Sequence, residues 1–406
     1  MTTSRKYDVA IIGGGILGSA TAMKLTAAYP KYKVAVIEKE KDLAAHQTGH
    51  NSGVIHSGLY YRPGSYKASL CVQGGKDLRA FCDQRGIRYD LIGKVVVATS
   101  EAELPALQTL YERGTANGVE GLAMLGPEQL REIEPHTAGM KALHCPMTGI
   151  IDYKEVTHAY ATQMREQGGD LFTGAKVQKI HGGHGSITLE TTQGDFEANH
   201  LINCGGLYAD TALRMMGVKT EVRIIPFRGE YYEIAPDKHH LVKGLIYPVP
   251  NPLFPFLGVH YTRLIHGGVE AGPNAVLALA REGYTKGKIR PGEVMDYLTF
   301  PGFWRMSRKY WKTGLGEMYR SFSKKAFTKA LQKLLPEIRQ EDLVPAGAGV
   351  RAQAVDRTGF LLDDFSIVER QNAIHVLNAP SPAATSSLAI GQHIVNLAAK
   401  SFGLTV

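Results

Sequence analysis

Residues 7–18 read YDVAIIGGGILG, an apolar run that leads directly into a glycine-rich turn. A second apolar run, residues 34–37, is followed by Glu38. This order is typical of a buried strand, a G-x-G-x-x-G turn, a helix and a second strand that is followed by a carboxylate. Units of this kind bind adenine dinucleotides, so the start of the chain predicts a dinucleotide site.

The three motif glycines are expected to have separate roles. Gly13 permits the tight turn, Gly15 lets the backbone approach a pyrophosphate, and Gly18 lets helix and strand pack closely. The helix N-terminus favours the negative charge of the phosphates, and Glu38 is expected to accept hydrogen bonds from the ribose hydroxyls. Glycine is frequent in this chain, at 45 of 406 residues. A purely structural turn is therefore the alternative, and the surrounding strands and acid favour the site.

The composition leaves room for two domains with substantial cores, since 44% of the 406 residues are hydrophobic. No run of 18 apolar residues occurs, so we expect no membrane span. The first strand is expected near residue 6, which leaves no room for a targeting peptide and indicates a cytoplasmic protein. The four cysteines lack metal-ligand or C-x-x-C spacing, so we expect reduced, buried thiols and no metal site.

Basic residues are concentrated in residues 298–335, where nine of them accompany a single acid. Both tryptophans of the chain lie in this segment. A basic helical segment with aromatic residues suits an anionic membrane surface, and the inner face of the cell membrane is the expected location. A solvated helical face over an ordinary core is the alternative. Nucleic acid is not an expected partner, because no recognised binding motif accompanies the charge.

The remaining pattern alternates strands and helices. Helices are predicted at residues 68–85 and 101–117, and a strand at 94–98. Further predictions are a hairpin over 186–197 that turns at Gly194, a strand at 200–206, β structure with many prolines over 223–265, a strand at 374–377, and a final helix over 383–400.

Five blocks of sequence carry a family resemblance. They are residues 46–58 (HQTGHNSGVIHSG), 226–231 (PFRGEY), 256–260 (FLGVH), 349–354 (GVRAQA) and 378–386 (NAPSPAATS). Together they resemble the D-amino acid oxidase superfamily of flavoproteins and, within it, the enzymes that oxidise L-2-hydroxyglutarate. The resemblance extends over nearly the whole chain and implies FAD as the cofactor.

The resemblance also implies an α/β fold. A Rossmann-like FAD-binding domain of the glutathione reductase type is expected to be interleaved with a mixed-sheet α+β substrate domain. We predict that the FAD-binding domain comprises residues 1–85, 150–218 and 340–406. The substrate domain is predicted to comprise residues 86–149 and 219–339.

The implied reaction is the oxidation of L-2-hydroxyglutarate to 2-oxoglutarate, with hydride transfer from the small dicarboxylate to flavin N5. Electrons are then expected to pass to a membrane quinone or to oxygen. One alternative is a related flavoprotein that acts on another 2-hydroxy acid, an amino acid or glycerol 3-phosphate. A flavin- or NAD-binding module without redox turnover is a second alternative.

Two histidines are candidates for the base that accepts the hydroxyl proton. Histidine suits this role because its ordinary pKa lies near neutral pH. His56 and His260 are flanked by apolar residues and glycine rather than by surface charge. We predict His56 as the base, because its loop continues from the predicted flavin-binding strand. His260 is the alternative base or a hydrogen-bond donor to substrate, and either histidine is alternatively a satisfied core group.

A dianionic substrate requires fixed positive charge. Arg351 and Arg228 are the predicted ligands, because each lies in an apolar or glycine-rich block where an unpaired guanidinium is costly to bury. The planar guanidinium also matches a carboxylate in two parallel hydrogen bonds. Tyr60 and Tyr61 are predicted to donate hydroxyl hydrogen bonds to the substrate. The alternatives are internal ion pairs, such as Arg228 with Glu230, and aromatic packing for the tyrosines.

The loop at residues 379–384 precedes the last predicted helix, whose N-terminus is expected to face the flavin N1 and C2 carbonyl. The helix dipole then stabilises negative charge on the reduced ring. Covalent attachment of the flavin at His46 or His50 is an alternative to non-covalent binding. Besides the motif glycines and Glu38, the predicted cofactor contacts are Lys39, Thr48, Asn51, Ser52, Gly53, Val177, Gly205, Pro382, Ala383, Ala384 and Thr385.

Overall fold

The structure is a computed structural model that describes residues 4–182, 185–250 and 258–406. Phe256 and Leu257 of the third block, and residues 251–257 of the proline-rich segment, lie outside the described residues. Within the described ranges the strands are β1 (Arg5–Ile12), β2 (Val34–Ile37), β3 (Val54–Ile55), β4 (Tyr89–Asp90), β5 (Lys94–Ala98), β6 (Ala123–Leu125), β7 (Lys141–Cys145), β8 (Gly149–Ile151), β9 (Asp170–Phe172), β10 (Val177–Gly182), β11 (Ile187–Thr191), β12 (Gly194–Asn203), β13 (Val222–Ile234), β14 (Leu245–Pro248), β15 (His260–Arg263), β16 (Val269–Gly272), β17 (Val276–Leu277), β18 (Leu343–Asp356), β19 (Ser366–Arg370) and β20 (Ala373–Asn378). The α-helices of these ranges are α1 (Ile16–Ala28), α2 (Tyr66–Arg85), α3 (Leu104–Ala116), α4 (Pro127–Ile133), α5 (Tyr153–Glu166), α6 (Ala209–Met215), α7 (Pro291–Leu298), α8 (Pro301–Phe322), α9 (Lys324–Leu331) and α10 (Ser387–Phe402).

The first sheet has the order β10-β11-β12-β1-β2-β9, and β20 and β19 extend it beside β12. Strands β1, β2, β12 and β20 are parallel at its centre. Their apolar side chains are buried on both faces, which explains the continuous apolar runs in the sequence. Helices α1, α5 and α10 pack together in the core that covers one face. This is the Rossmann-like layer that the start of the chain predicts.

The glycine turn between β1 and α1 has a structural reason at two of its three motif positions. Gly13 adopts φ +103°, and a Cβ there would lie 2.5 Å from the carbonyl oxygen of Cys204. A Cβ on Gly18 would lie 1.9 Å from the carbonyl oxygen of Gly13. Both residues are therefore glycine because the backbone of the turn packs against itself and against the end of β12.

The second sheet has the order β17-β13-β16-β15-β14-β5-β7-β6, with β18 paired to β13. It is mixed, since β14 and β5 are parallel while the other pairs are antiparallel. Strand β18 belongs to this sheet although it falls in the range 340–406, which we assigned to the FAD-binding domain. The domain limits themselves stay a prediction.

The loop that follows β2 returns to the body of the protein through a small third sheet, β3-β8-β4. Its middle strand β8 hydrogen-bonds with β3, whose last residue Ile55 directly precedes His56. Gly53 adopts φ +63° immediately before β3, and its carbonyl oxygen accepts a 2.8 Å hydrogen bond from the Ile151 N–H. These contacts fix the position of the histidine-containing loop between the two larger sheets.

The structure differs from the predicted elements in two places. Strand β12 is continuous from the hairpin turn at Gly194 to Asn203, where we predicted two separate strands. Helix α10 begins at Ser387 and not near Ala383. The preceding residues form turns instead, because the Ala383 N–H donates to Pro380 and the side chain of Thr385 hydrogen-bonds with neighbouring chain segments.

The basic segment is helical, as predicted, and consists of the end of α7, α8 and α9. The inner side of α8 packs against β13 and β18 through residues that include Phe303 and Met306. Phe327 and Leu331 of α9 pack on the second sheet. Within the described part of the chain, no helix combines the length and the apolar character needed to cross a bilayer.

Candidate active site

A cavity of about 1120 Å³ lies between the first and second sheets. Its wall includes the carboxyl ends of β1 and β2, the loop after β2, residues of β13, β14 and β18, and the loop after β20. Ligands of α/β proteins bind at the carboxyl ends of the central strands, so this is the expected position for a dinucleotide. The volume exceeds that of most single-ligand pockets and leaves space for a dinucleotide together with a small substrate.

Most of the predicted site residues line this cavity, and three do not. Gly18 and Gly53 fix the turns described above, and Arg228 lies elsewhere. The predicted residues on the cavity wall are Gly13, Gly15, Glu38, Lys39, Thr48, Asn51, Ser52, His56, Tyr60, Tyr61, Val177, Gly205, His260, Arg351, Pro382, Ala383, Ala384 and Thr385. Their position is compatible with the predicted contacts, and their individual roles stay predictions.

Gly15 differs from the other motif glycines because the protein itself does not require a glycine there. Its backbone has φ −78° and ψ 178°, a conformation that any residue adopts. A Cβ on Gly15 would approach one protein atom, the Thr48 hydroxyl oxygen, at 3.2 Å. The missing side chain therefore leaves space on the cavity side of the turn, at the N-terminus of α1. This space fits a pyrophosphate held against the backbone.

Glu38 is oriented by the backbone around it. One carboxylate oxygen accepts a 2.6 Å hydrogen bond from the Gly14 N–H, and the other accepts a 2.8 Å bond from the Glu40 N–H. Each carboxylate oxygen has a second lone pair and can accept a further hydrogen bond. Glu38 therefore both secures the glycine turn and presents acceptors at the cavity wall, as the ribose of a dinucleotide requires.

Lys39 lines the cavity, but acids of the protein already balance its charge. Its ammonium forms salt bridges with Glu40 and, at 2.5 Å, with Glu282, and lies 2.7 Å from His46 Nε2. Burial alone raises the pKa of Glu282, but the hydrogen bond and charge of Lys39 lower it to about 2. Glu40, His46 and Glu282 have the spacing of a metal site. Because the lysine ammonium contacts all three, we interpret them as its partners.

His56 lines the cavity beside the loop after β20. Its Nε2 is 3.3 Å from the Ser381 hydroxyl, and its backbone N–H donates to the Thr385 hydroxyl at 3.1 Å. Its Nδ1 is buried and has no hydrogen-bond partner among the residues that the structure describes. Burial lowers the pKa of His56 to about 3, and the positive charge of Lys94 contributes to this shift. The ring is therefore neutral at physiological pH and can accept a proton.

His260 is the second neutral histidine of the cavity. Its Nδ1 lies 2.9 Å from the carbonyl oxygen of Gly258, and its ring stacks on Tyr247 with 3.9 Å between ring centres. A carbonyl only accepts, so Nδ1 carries the proton and Nε2 keeps its lone pair. Burial lowers the pKa of His260 to about 4, with smaller contributions from the charges of Arg351 and Lys94.

The two predicted substrate arginines have different environments. Arg351 of β18 lines the cavity near Tyr231. Arg228 of β13 is buried and donates from Nε and Nη2 to the Glu230 carboxylate, at 3.1 and 2.9 Å. In the antiparallel register Arg351 lies opposite Phe227 and Arg228 opposite Val350, so the two guanidinium groups leave different faces of the sheet. Arg228 thus forms the internal ion pair that was the alternative to substrate binding.

Tyr60 and Tyr61 both line the cavity. Burial raises the pKa of each hydroxyl well above 10, so both remain neutral donors. The Tyr61 hydroxyl is 3.5 Å from that of Ser381, while the Tyr60 hydroxyl is buried without a hydrogen-bond partner in the described ranges. Tyr60 therefore contributes to the cavity wall, and its hydroxyl is a donor for which the described residues supply no acceptor.

Several residues near the histidines are not evident from the sequence. Ser381 contacts His56, Tyr247 stacks on His260, and Lys94 acts electrostatically on both rings. Lys94 carried the clearest signal, since it is a charged residue at the start of the otherwise apolar run KVVVA. Tyr247 could not be found from the sequence, because its contact with His260 depends on the pairing of β14 with β15.

Comparison with known proteins identifies the family to which this chain belongs. The family model described as FAD dependent oxidoreductase matches residues 8–397. L-2-hydroxyglutarate dehydrogenase of Indibacter alkaliphilus is 55% identical and covers 98% of this chain and 100% of its own. The enzyme of that name from Escherichia coli K12 is 47% identical, covering 96% of this chain and 92% of its own. The human mitochondrial one is 44% identical, covering 99% and 90%.

Solved structures share the fold at lower sequence identity. L-α-glycerophosphate oxidase of Mycoplasma pneumoniae, solved with FAD bound, has a TM-score of 0.79 and 23% identity, covering 97% of this chain and 94% of its own. Glycine oxidase of Geobacillus kaustophilus has a TM-score of 0.72 and 20% identity, covering 98% and 95%. At these identities the likeness concerns the arrangement of sheets and helices alone.

Proposed function

Since this chain belongs to the family of FAD-dependent oxidoreductases, we propose that it uses FAD to oxidise L-2-hydroxyglutarate to 2-oxoglutarate. The observation that carries the proposal is one cavity in which a dinucleotide turn, two neutral histidines and Arg351 converge. The names of the relatives at 44–55% identity support the choice of substrate. Glycerol 3-phosphate and amino acids are the alternatives from the sequence, and the solved structures whose names concern such substrates, at 23% and 20% identity, share the fold alone.

The reaction removes a hydride from C2 of the substrate and a proton from its hydroxyl. When bound, FAD supplies the hydride acceptor. We assign the proton to His56, which lines the cavity and is neutral, so that one of its ring nitrogens carries a lone pair. His260, whose Nε2 is the unprotonated nitrogen, is the alternative base or holds the substrate hydroxyl. A base that is positioned before the substrate arrives contributes to the rate without a further ordering cost.

Arg351 and Tyr60 are assigned to the substrate carboxylates. The guanidinium of Arg351 provides parallel donors for one carboxylate. The Tyr60 hydroxyl, which has no partner among the described residues, provides a neutral donor. These contacts orient the substrate so that its C2 hydroxyl faces the histidines.

Anaerobic titration of the purified flavoprotein tests this proposal. The flavin absorbance is followed while L-2-hydroxyglutarate, D-2-hydroxyglutarate, L-lactate, glycerol 3-phosphate or glycine is added. We expect bleaching by L-2-hydroxyglutarate at far lower concentrations than by any other compound. Preferential bleaching by glycerol 3-phosphate or an amino acid would transfer the chain to the alternative substrate class, and colourless protein would contradict the cofactor.

Replacing Arg351 by methionine is expected to weaken transition-state binding of L-2-hydroxyglutarate by about 2 to 5 kcal/mol, because a desolvated carboxylate loses its partner. The measurement is kcat/KM with a soluble dye as the acceptor. Arg228→Met is the control, since it removes a buried guanidinium that is paired with Glu230. Unchanged kcat and KM in Arg351→Met, or the same loss in both variants, would rule out a specific contact.

The surface of α8 supports a further part of the proposal, which concerns the electron acceptor. Large apolar side chains are exposed along one face of this helix at positions i, i+7, i+11, i+14 and i+18. They form an apolar stripe consisting of Trp304, Trp311, Leu315, Met318 and Phe322, which are between 50% and 77% exposed. Basic residues lie beside the stripe, as in helices that bind the interface of an anionic membrane.

We propose that the apolar stripe docks the protein on the inner face of the cell membrane, where quinone accepts the electrons. The basic residues of α8 complement the negative charge of such a surface. The four cysteines are scattered in the sequence and form no iron–sulfur motif, so the acceptor has to reach the flavin directly. Oxygen is the alternative acceptor, and it requires no membrane contact.

Neutralising the exposed basic residues of α8 is expected to weaken binding to anionic vesicles by roughly 100-fold at low salt, at about 1 kcal/mol for each charge. Turnover with a soluble dye should stay unchanged. Binding should weaken as salt rises, because exposed charges are screened. The charges changed to glutamine are Arg308, Lys309 and Lys312, and the matched control changes the exposed residues Lys41, Lys219 and Lys243. Equal loss in both triple variants, or salt-independent binding, would contradict a docking role for α8.

A further inference from the structure

A lysine side chain is buried next to the cavity. Lys94 is the first residue of β5, which lies inside the second sheet between β14 and β7. The residue is 1% exposed. Lysine is almost never buried to this degree unless a carboxylate or another anion balances its charge. We therefore expect an anionic partner for the Lys94 ammonium.

The contacts of Lys94 are aromatic. Its ammonium lies 4.5 Å from the ring centre of Tyr60 and 5.4 Å from that of Tyr247. No ion pair of residues 4–182, 185–250 and 258–406 includes Lys94. Burial lowers the pKa of the Lys94 ammonium, and the nearby Cys145 and Cys71 thiols oppose this shift. The two ring faces attract the cation, but they carry no negative charge that would cancel it.

Both tyrosine rings form part of the cavity wall, so the ammonium lies directly behind that wall. Tyr247 also stacks on His260. Lys94 contributes to the lowered pKa of both His56 and His260, which places its charge near the end of the cavity where the two histidines lie. The positive charge is thus located on the substrate side of the site.

The negative charge of the proposed substrate can balance the buried positive charge of Lys94. L-2-hydroxyglutarate carries two carboxylates, and the sequence predicts two arginines as their ligands. The structure pairs Arg228 with Glu230 instead, which leaves one carboxylate without its expected cation. A buried charge acts over several ångströms because the protein interior screens it far less than water does.

We propose that Lys94 is a positioning residue that draws one carboxylate of the substrate to the histidine end of the cavity. It acts through Tyr60 and Tyr247, whose rings contact its ammonium and form part of the cavity wall. Specificity for a dicarboxylate over a monocarboxylate follows, because the second negative charge is the one that Lys94 attracts. This inference rests on the proposed function and names the origin of its charge selectivity.

The test uses the flavin-loaded enzyme and two unreactive ligands. Glutarate has two carboxylates and butyrate has one, and dissociation constants are obtained from the change in flavin absorbance on binding. We expect Lys94→Met to raise the dissociation constant of glutarate by about 10-fold or more and that of butyrate by less than about 3-fold. Lys94→Arg, which keeps the charge, should retain most of the preference. Lys141→Met, a change at an exposed lysine of β7, is the control.

Two further readouts separate this role from a structural one. Replacing an unbalanced buried charge by an apolar side chain of similar size is neutral or stabilising, so Lys94→Met should melt at the same temperature as the parent or higher. Removing the cation should also raise the pKa of the neighbouring histidines. The low-pH limb of the flavin reduction rate should therefore move to higher pH.

The outcomes are distinct. Retained preference for glutarate in Lys94→Met overturns the inference while the proposed function stands. Equal losses for glutarate and butyrate, together with a lower melting temperature, also overturn it, because they indicate a structural lysine. Should Lys94→Met fail to fold, the Lys94→Arg variant decides. Loss of the glutarate preference in folded Lys94→Arg would overturn the inference, because this variant keeps the positive charge. Wild-type protein that binds glutarate no better than butyrate would overturn the proposed function, and this inference with it.

Discussion

Replacing His56 by alanine is expected to leave the cofactor bound and to slow its reduction by L-2-hydroxyglutarate about 10²- to 10⁴-fold, the usual contribution of a positioned base. The expectation follows from the location of His56 on the cavity wall and from the burial that keeps its ring neutral. A neutral imidazole accepts the hydroxyl proton as the hydride leaves. The measurement is the single-turnover rate of flavin bleaching without oxygen.

Two other histidine variants show whether the loss is specific to His56. His260→Ala tests the alternative base, and a large loss there with normal reduction in His56→Ala would exchange the two roles. His375→Ala is the matched control, because His375 is buried, has a pKa lowered to about 4 mainly by burial, and does not line the cavity. It hydrogen-bonds to Asn203 instead. Its replacement should affect stability and leave the rate of reduction unchanged.

Replacing Gly15 by valine is expected to give folded protein without flavin. The backbone conformation at Gly15 accommodates any residue, and a Cβ meets only the Thr48 hydroxyl, at 3.2 Å. The added side chain therefore occupies cavity space that we assign to the pyrophosphate. The ratio of flavin to protein absorbance after purification measures the loss, and circular dichroism checks the fold.

Two further glycine substitutions, one in the same turn and one at the edge strand β10, show whether the loss concerns the ligand. Gly18→Val should prevent folding, because its Cβ would lie 1.9 Å from the Gly13 carbonyl oxygen. Gly182→Val should be tolerated, because no atom lies within 4 Å of the added Cβ. Full flavin content in Gly15→Val would show that the phosphates lie elsewhere.

The parts of the fold that sequence reasoning predicted are those that depend on local patterns. The β1 turn, α1, β2 and Glu38 are adjacent in the chain, and their apolar spacing and glycines directly reflect how they pack. The basic helices were predictable for the same reason. The pairing of β18 with β13 was not predictable, because the two strands are distant in sequence and such pairing produces no local sequence pattern.

In the candidate site, too, local sequence patterns predicted some residues, and others depend on the pairing of distant strands. The sequence blocks pointed to His56, His260 and Arg351, and the structure brings these residues to one cavity. Arg228 could not be separated from Arg351 by composition, since only the strand register reveals that the two side chains leave opposite faces. Lys94 could not be assigned without the sheet, because a lysine at the start of a strand is usually a solvent-exposed end.

The construction of the first sheet also determines the order in which the molecule is assembled. Strand β1 pairs with β12, and β12 pairs with β20 near the end of the chain. A nascent chain therefore carries the glycine turn long before the loop after β20 can close the opposite wall of the cavity. Pairing between such distant segments is slow and leaves apolar strand edges exposed in the meantime. The cavity can therefore enclose a cofactor between both of its walls only after nearly the whole chain has been synthesised.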